Sequence, residues 1–320
     1  MRVIVKKIVL RLFDIFSVIF TLISIPFLKV IKKYGVHFFP LNRALFLRFG
    51  IYPIQDHYYE PQFKYSKDFD AKKKRNLHLD LGEANQLNAL EALAYREELA
   101  EIPLKNPELN ERSYYYQNAS FEEGDADLYY LMIRNKKPKK IIEIGSGFST
   151  LVALKAIEKN RSEGFITELT CIEPYEFGWL EQLNNVTIIR KKVEELEPAF
   201  FSTLESGDFL FIDSSHIIRP ENDVLHEYFE ILPGLKPGVI IHIHDIFTPR
   251  HYTQSWLTEE LRLWNEQYLL EAYLYHNTSY RILFSLNHLK NSYFETTRKV
   301  LKAINEKTEP ASFWIEKINY

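Results

Sequence analysis

Glu143, Glu173, Asp213 and Asp245 each stand at or near the end of a short apolar run: KIIEI, ELTCIE, DFLFID and VIIHIHD. His216 follows Asp213 by three residues, and His244 directly precedes Asp245. Carboxylates so placed can accept from an ammonium group or a ribose hydroxyl, or hold Mg²⁺ or Mn²⁺ through their oxygens. An imidazole can remove the proton of a substrate hydroxyl. In an open parallel sheet, ligands lie beyond the carboxyl ends of the strands, so these groups share one edge if the runs are neighbouring strands. His216 and His244 are the candidate bases, and Asp213 and Asp245 the candidate metal ligands. His242 shares a strand face with His244 by the two-residue period but lies deeper, and reads as a hydrogen-bonded core residue.

The stretch that must position these groups is KIIEIGSGFST, Lys140 to Thr150. An apolar strand runs into Gly145, Ser146 and Gly147, and a helical pattern begins at Ser149. A turn this tight excludes a Cβ, and the following helix points free N–H groups over the sheet. A dinucleotide site would want a third glycine at Thr150 or beside it, and none is there. An acid, Glu143, stands two residues before the first glycine instead. The pattern suits a zwitterionic amino-acid cofactor: Glu143 to accept from its ammonium group, Gly145, Ser146 and Gly147 to let carboxylate and ribose approach the backbone, and Glu173 to hold ribose hydroxyls.

Strand and helix patterns then alternate. Strands are expected at 140–145, 168–174, 185–189, 208–213 and 239–245, with helices at 220–232 and 253–267. Residues 269–275 and 280–286 read as a closing pair of strands with an antiparallel member. A helix follows Lys290, then a loose end containing SFWIEK. Before the first strand, a helix starts near Gly124-Asp125, a place for backbone contact with a ligand, and stops ahead of Pro138. Residues 87–104 read as a helix closed by Pro103 and Pro107. This argues an α/β fold with a mostly parallel sheet and helices on both faces. The domain expectation is an apolar, basic helix over 1–33, a cap and substrate region over 34–118, a cofactor-binding domain over 119–290, and a C-terminal helix and tail over 291–320.

The N-terminus differs in kind. Between Leu12 and Leu28 the one charge is Asp14, and Arg2, Lys6, Lys7, Arg11, Lys29, Lys32 and Lys33 flank the apolar core. The uncharged part, Ile15 to Leu28, is shorter than the roughly 20 residues of a spanning helix and contains Pro26. No small-residue cleavage site follows it. We expect a helix lying in or dipping into the inner face of the membrane, with the rest of the chain cytoplasmic; the competing readings are a soluble helix packed on the protein and a dimer contact. Net charge is −3, which implies no general nucleic-acid surface. The single cysteine, Cys171, excludes an internal disulfide and suits a reducing compartment.

From about Tyr114 to Asn287 the chain resembles bacterial class I methyltransferases of the small-molecule O-methyltransferase kind. The stretches that carry the likeness are NASFEEGDADLYYLMIR, KPKKIIEIGSGFST, GDFLFIDSSH, LPGLKPGVIIHIHDIF and WNEQYLLEAYLYHN, with SFWIEK near the end. The resemblance implies a Rossmann-like, mostly parallel seven-stranded sheet. It implies S-adenosyl-L-methionine held by Glu143, Gly145, Ser146, Gly147, Glu173 and Asp213, and methyl transfer to a hydroxyl oxygen of a small molecule or glycan. The pattern is similar, more distantly, to catechol O-methyltransferase, whose magnesium-binding acids match Asp213 and Asp245. The ligating amide of that enzyme is matched by Ile246, which cannot coordinate, so a metal here needs His216 or His244 in its place. Tyr116, Asn118, Asn265 and Gln267 are expected to contact the acceptor. The alternatives are a nicotinamide-dependent oxidoreductase and a non-catalytic cofactor-binding module tethered to a membrane.

Overall fold

The structure is a computed structural model that describes residues 2–57, 59–61, 65–106 and 112–319. Pro107, expected to close a helix, lies outside the described residues. The chain divides into two compact units, residues 1–69 and 70–320.

In the first unit, α1 (Arg2–Tyr34) is one continuous helix that passes through Pro26, followed by α2 (Pro40–Phe49). Apolar side chains project from α1 on all sides, among them Phe13, Phe16, Ile19, Phe20 and Ile23, each more than half exposed. By length and composition α1 is able to cross a membrane. Its uncharged part is shorter: 14 residues from Ile15 to Leu28 rise roughly 21 Å at about 1.5 Å each, against a hydrocarbon core of about 30 Å.

The second unit is built on seven strands: β1 (Lys140–Ile144), β2 (Glu168–Ile172), β3 (Val186–Ile189), β4 (Phe209–Ile212), β5 (Ile240–Ile243), β6 (Tyr280–Ser285) and β7 (Phe313–Lys317). Their spatial order is β3-β2-β1-β4-β5-β7-β6. The first five are parallel, and β7 is antiparallel to both β5 and β6. Central parallel strands are covered on both faces, so FLFI and IIHI read as apolar runs rather than alternations. Alternation sorts side chains between two cores. Ile141, Phe209, Phe211, Ile240 and Trp314 pack on one face under α4 (Asp125–Lys136) and α5 (Phe148–Ser162). Ile142, Ile144, Leu210, Ile212, Ile241 and Ile243 pack on the other. That second face is covered by a helix that starts as α6 (Asp223–His226), widens into a π-helical turn (Glu227–Ile231) and ends as α7 (Leu232–Gly234). It is also covered by α9 (Glu266–Leu274), which follows α8 (Gln254–Thr258).

Two expectations are corrected. Residues 269–275 are not a strand but most of α9. Its buried residues Gln267, Leu270 and Leu274 recur at helical spacing, and that period outweighs the strand-like composition. SFWIEK is not loose: Phe313 to Lys317 form β7, inserted between β5 and β6, with Phe313 and Ile315 in one core and Trp314 in the other. The expected helix over 253–267 is interrupted between α8 and α9. That over 87–104 is α3 (Glu83–Glu91) followed by a 3₁₀ turn, Arg96–Glu101. α10 (Leu286–Ser292) and α11 (Phe294–Val300) complete the unit.

Candidate functional site

The turn after β1 is closed by backbone contact. Gly145 has φ +76°, and a Cβ there would stand 1.9 Å from the carbonyl oxygen of Asp213. Gly145 N–H donates to Ile172 O at 3.0 Å, and Asp213 N–H donates to Ile144 O at 2.8 Å. The ends of β1, β2 and β4 are thus stapled together, with no room for a side chain between them. At Gly147 a Cβ would meet the Phe177 ring at 2.6 Å.

Beneath the turn lies Glu143, wholly buried. Its carboxylate accepts from Thr150 Oγ1 (2.6 Å), Tyr129 OH (3.0 Å) and Cys171 Sγ (3.4 Å). Thr150 Oγ1 in turn accepts from Gly147 N–H at 3.1 Å. Burial pushes the Glu143 carboxyl up to about 7, against these hydrogen bonds, which lower it. This corrects the expectation that Glu143 receives a cofactor ammonium group. The strand period turns its side chain onto a covered sheet face, where it braces the turn from below.

Above the turn is a cavity of about 550 Å³ lined by Gly145, Ser146, Gly147, Glu173, Phe177 and Asp213, among others. Glu173 Oε1 accepts from the N–H groups of Tyr175 and Glu176, each at 2.8 Å, and Oε2 from Ser146 N–H at 3.3 Å. Ser146 Oγ is buried in the wall with no partner beyond the weak Cys171 thiol among the described residues. Such an orphaned hydroxyl beside a Cβ-free bend is what a polar ligand would satisfy.

A second cavity, about 520 Å³, shares Ser120 with the first and is lined by His244, Asp245, Phe247, Trp256 and Glu309. Between the two sit the strand-end carboxylates. His216 Nε2 lies 3.2 Å from Asp213 Oδ1 and 3.4 Å from Asp245 Oδ2, and its Nδ1 lies 2.8 Å from Glu266 Oε2. Both His216 and Asp245 have positive φ, +60° and +56°, a conformation non-glycine residues rarely keep without a local reason. His216 is buried, which disfavours its charge, but hydrogen bonds to Asp213 and Glu266 hold its proton well above the ordinary range. His244 is also raised: burial opposes the charge, and Asp245, Asp213 and Asp125 outweigh it. Its Nε2 is 3.7 Å from Asp245 Oδ1, too long for a hydrogen bond. His242 lies in the core among Phe211 and Trp314, and burial pushes it well down.

Glu173, Asp213, Ser146 and both glycines therefore converge on the first cavity, and His216, His244 and Asp245 on its border with the second. The four expected acceptor contacts do not reach either cavity wall. Tyr116 OH donates to the buried Asp127. Asn118 Oδ1 accepts from Ser120 and Phe121 N–H, shaping the loop that carries Ser120. Asn265 Oδ1 accepts from Ile218 N–H, and Gln267 Oε1 from Phe247 N–H. They position loops. Asp125, by contrast, lines the second cavity, and its carboxylate accepts from the N–H groups of Ala311 and Ser312. Sequence reasoning missed Glu266, although it stands directly between Asn265 and Gln267.

Residues 142–246 match a protein family described as a methyltransferase domain. An uncharacterized protein of Archaeoglobus fulgidus is 35% identical over 136 residues, 41% of this chain, and this chain spans 60% of that relative's length. Among solved structures, a putative O-methyltransferase from Klebsiella pneumoniae is similar at 14% identity, over 72% of this chain and 90% of that one, with a TM-score of 0.37. An O-methyltransferase from Streptomyces achromogenes involved in tomaymycin synthesis, solved with SAM, is similar at 12% identity over 72% and 90%, with a TM-score of 0.39. An O-methyltransferase from Bacillus cereus, solved with SAH, is similar at 14% identity over 72% and 91%, with a TM-score of 0.37. The stretch that matches the methyltransferase-domain family, 142–246, runs from β1 to just past the end of β5 in the seven-stranded sheet.

Proposed function

We propose that this protein transfers the methyl group of S-adenosyl-L-methionine to a hydroxyl oxygen of a small molecule or glycan. The observation that carries the reading is the Cβ-free bend at Gly145, under a cavity whose wall holds the strand-end acids Glu173 and Asp213 and the Ser146 Oγ, which has no partner beyond the Cys171 thiol among the described residues. Gly145, Ser146 and Gly147 would hold the amino-acid part, and Glu173 the ribose. When bound, the cofactor supplies an electrophilic sulfonium methyl, and its transfer to oxygen leaves the demethylated cofactor and one proton.

The chain's own part is to align the acceptor and accept that proton. His244 is the better placed base, because it lines the second cavity, where an acceptor would sit beside the first. His216 is enclosed by Asp213, Asp245 and Glu266. The donor set fits a divalent cation such as Mg²⁺ or Mn²⁺ at Asp213 and Asp245. Such a cation, held by Asp213 and Asp245, would supply positive charge beside the acceptor oxygen, and His244 would take the hydroxyl proton. The nicotinamide alternative loses ground at Thr150: its hydroxyl bridges Glu143 and Gly147 where that reading wants a glycine.

α1 supports attachment to the inner face of a membrane. Exposed apolar side chains cover it, Lys6, Lys7 and Arg11 flank one end, and Lys29, Lys32 and Lys33 flank the other. The catalytic unit would then work in the cytoplasm.

Isothermal titration with S-adenosyl-L-methionine and with its demethylated product tests the central reading. Heat is expected from the parent and none from Ser146→Phe, which fills the cavity and leaves the glycines in place. A parent without heat would end the proposal.

A further inference from the structure

We propose that His216 is itself a metal donor, completing a facial set with Asp213 and Asp245, and that the site therefore selects a first-row transition cation of the Mn²⁺ kind over Mg²⁺. This deepens the reading above and rests on it only for the place of the site. It reverses the role first given to His216, from base to ligand.

The spacing is the first argument. One donor atom from each residue lies within 4.8 Å of the other two, and the two distances from His216 Nε2 are 3.2 and 3.4 Å. A six-coordinate cation bound at roughly 2.1–2.2 Å places adjacent donors about 3 Å apart. The two separations from His216 are thus close to what one edge of an octahedron needs, and the third, between the aspartate oxygens, lies within 4.8 Å.

The second argument is how His216 is held. Its Nδ1 is engaged by Glu266, a carboxylate with no exposed surface that also accepts from Tyr228 OH at 3.0 Å. The backbone N–H groups of Asn265 and Glu266 donate to His216 O, and the Trp264 ring packs 4.3 Å from the imidazole. Nε2 is the nitrogen aimed between the aspartates, and a cation bound there would displace to solvent the proton that Nε2 now shares with Asp213. A ligating histidine whose other nitrogen is fixed by a buried carboxylate is the usual second layer of a metal site.

The third argument is chemical. Ile246 is buried and has no donor, so no amide oxygen completes the set. An imidazole does, and imidazole shifts preference away from Mg²⁺, which favours oxygen and water, toward transition cations. Asp213 lines the first cavity and Asp245 the second, so the remaining coordination positions would open toward both.

The full chain, freed of metal, is titrated with Mn²⁺ under electron paramagnetic resonance and with Mg²⁺ in competition. We expect Mn²⁺ to bind at least tenfold tighter than Mg²⁺, with pulsed spectra showing coupling to one imidazole nitrogen. His216→Asn should lose that coupling and most of the preference. Glu266→Gln should keep the coupling and weaken Mn²⁺ about 10- to 100-fold. Bound Mn²⁺ without nitrogen coupling, equal affinity for Mg²⁺, or no binding of either would each overturn the proposal, and the first reads the parent alone, independent of how the variants fold. Calorimetry with S-adenosylhomocysteine on the same preparation separates the failures. Heat without metal binding removes this inference and leaves the methyltransferase reading; metal binding without heat does the reverse.

Discussion

Replacing Glu143 by Gln should change how stability depends on pH by a calculable amount. Glu143 is wholly buried under the glycine turn, and burial raises its carboxyl from 4.5 to about 7. The folded protein therefore keeps a proton that the unfolded chain releases. The sign follows: this group's stabilisation is complete below about 4.5 and is lost as pH rises through about 7. A tenfold difference in proton affinity between the folded and unfolded chain is worth about 1.4 kcal/mol, so the whole loss is about 3 kcal/mol, of which about 2.5 falls between pH 5 and pH 8. A glutamine has no such titration, and its amide can meet Tyr129 and Thr150 much as the protonated acid does. Urea unfolding of both proteins at pH 5, 6, 7 and 8 gives the difference between them, in which other titrating groups cancel. The variant should gain about 2.5 kcal/mol on the parent from pH 5 to pH 8. A difference that stays flat within about 0.5 kcal/mol would refute the reasoning, since Glu143 would then be ionised throughout in the fold.

Gly145→Ala puts a Cβ 1.9 Å from Asp213 O at a positive φ and should cost about 2–4 kcal/mol in urea unfolding, with loss of cofactor heat. His244→Ala should lower turnover about 10²- to 10⁴-fold while leaving the binding heat of the demethylated cofactor within twofold, measured once an acceptor is found by labelled-methyl mass spectrometry of extracts. Ile19→Glu with Ile23→Glu places two charges on the apolar surface of α1, and should reduce sedimentation with anionic vesicles at least tenfold; unchanged sedimentation would remove the membrane role.

The centre of the fold was legible because its signals are local. An apolar run followed by Gly145 and Gly147 admits few structures, and Pro138 marks where the preceding helix must stop. The last strands were not legible for an equally physical reason. LLEAYLY and SFWIEK are both short and apolar, and what separates them is the partner each meets: a sheet face for α9, two open strand edges for β7. The site divides in the same way. Strand-end acids declare themselves by position, but whether a side chain faces the edge or a covered face depends on register, and this moved Glu143 from wall to brace. Glu266 reaches His216 across 50 residues, a pairing no local pattern announces. The second cavity is walled by loop residues such as Phe247 and Glu309 and by Trp256 of α8, whose proximity arises from the closed fold alone.

The placement of β7 has a consequence for how the molecule is made. β5, which presents Asp245, shares its outer edge with a strand that follows it by some seventy positions in the chain. While a ribosome is still extending the chain through that interval, β5 offers a bare row of backbone donors and acceptors. The site's last carboxylate is thus seated only when residues 313–317 slot home, so a nascent chain remains without a finished centre, and exposed to wrong pairing, until nearly all of the sheet unit has been synthesised.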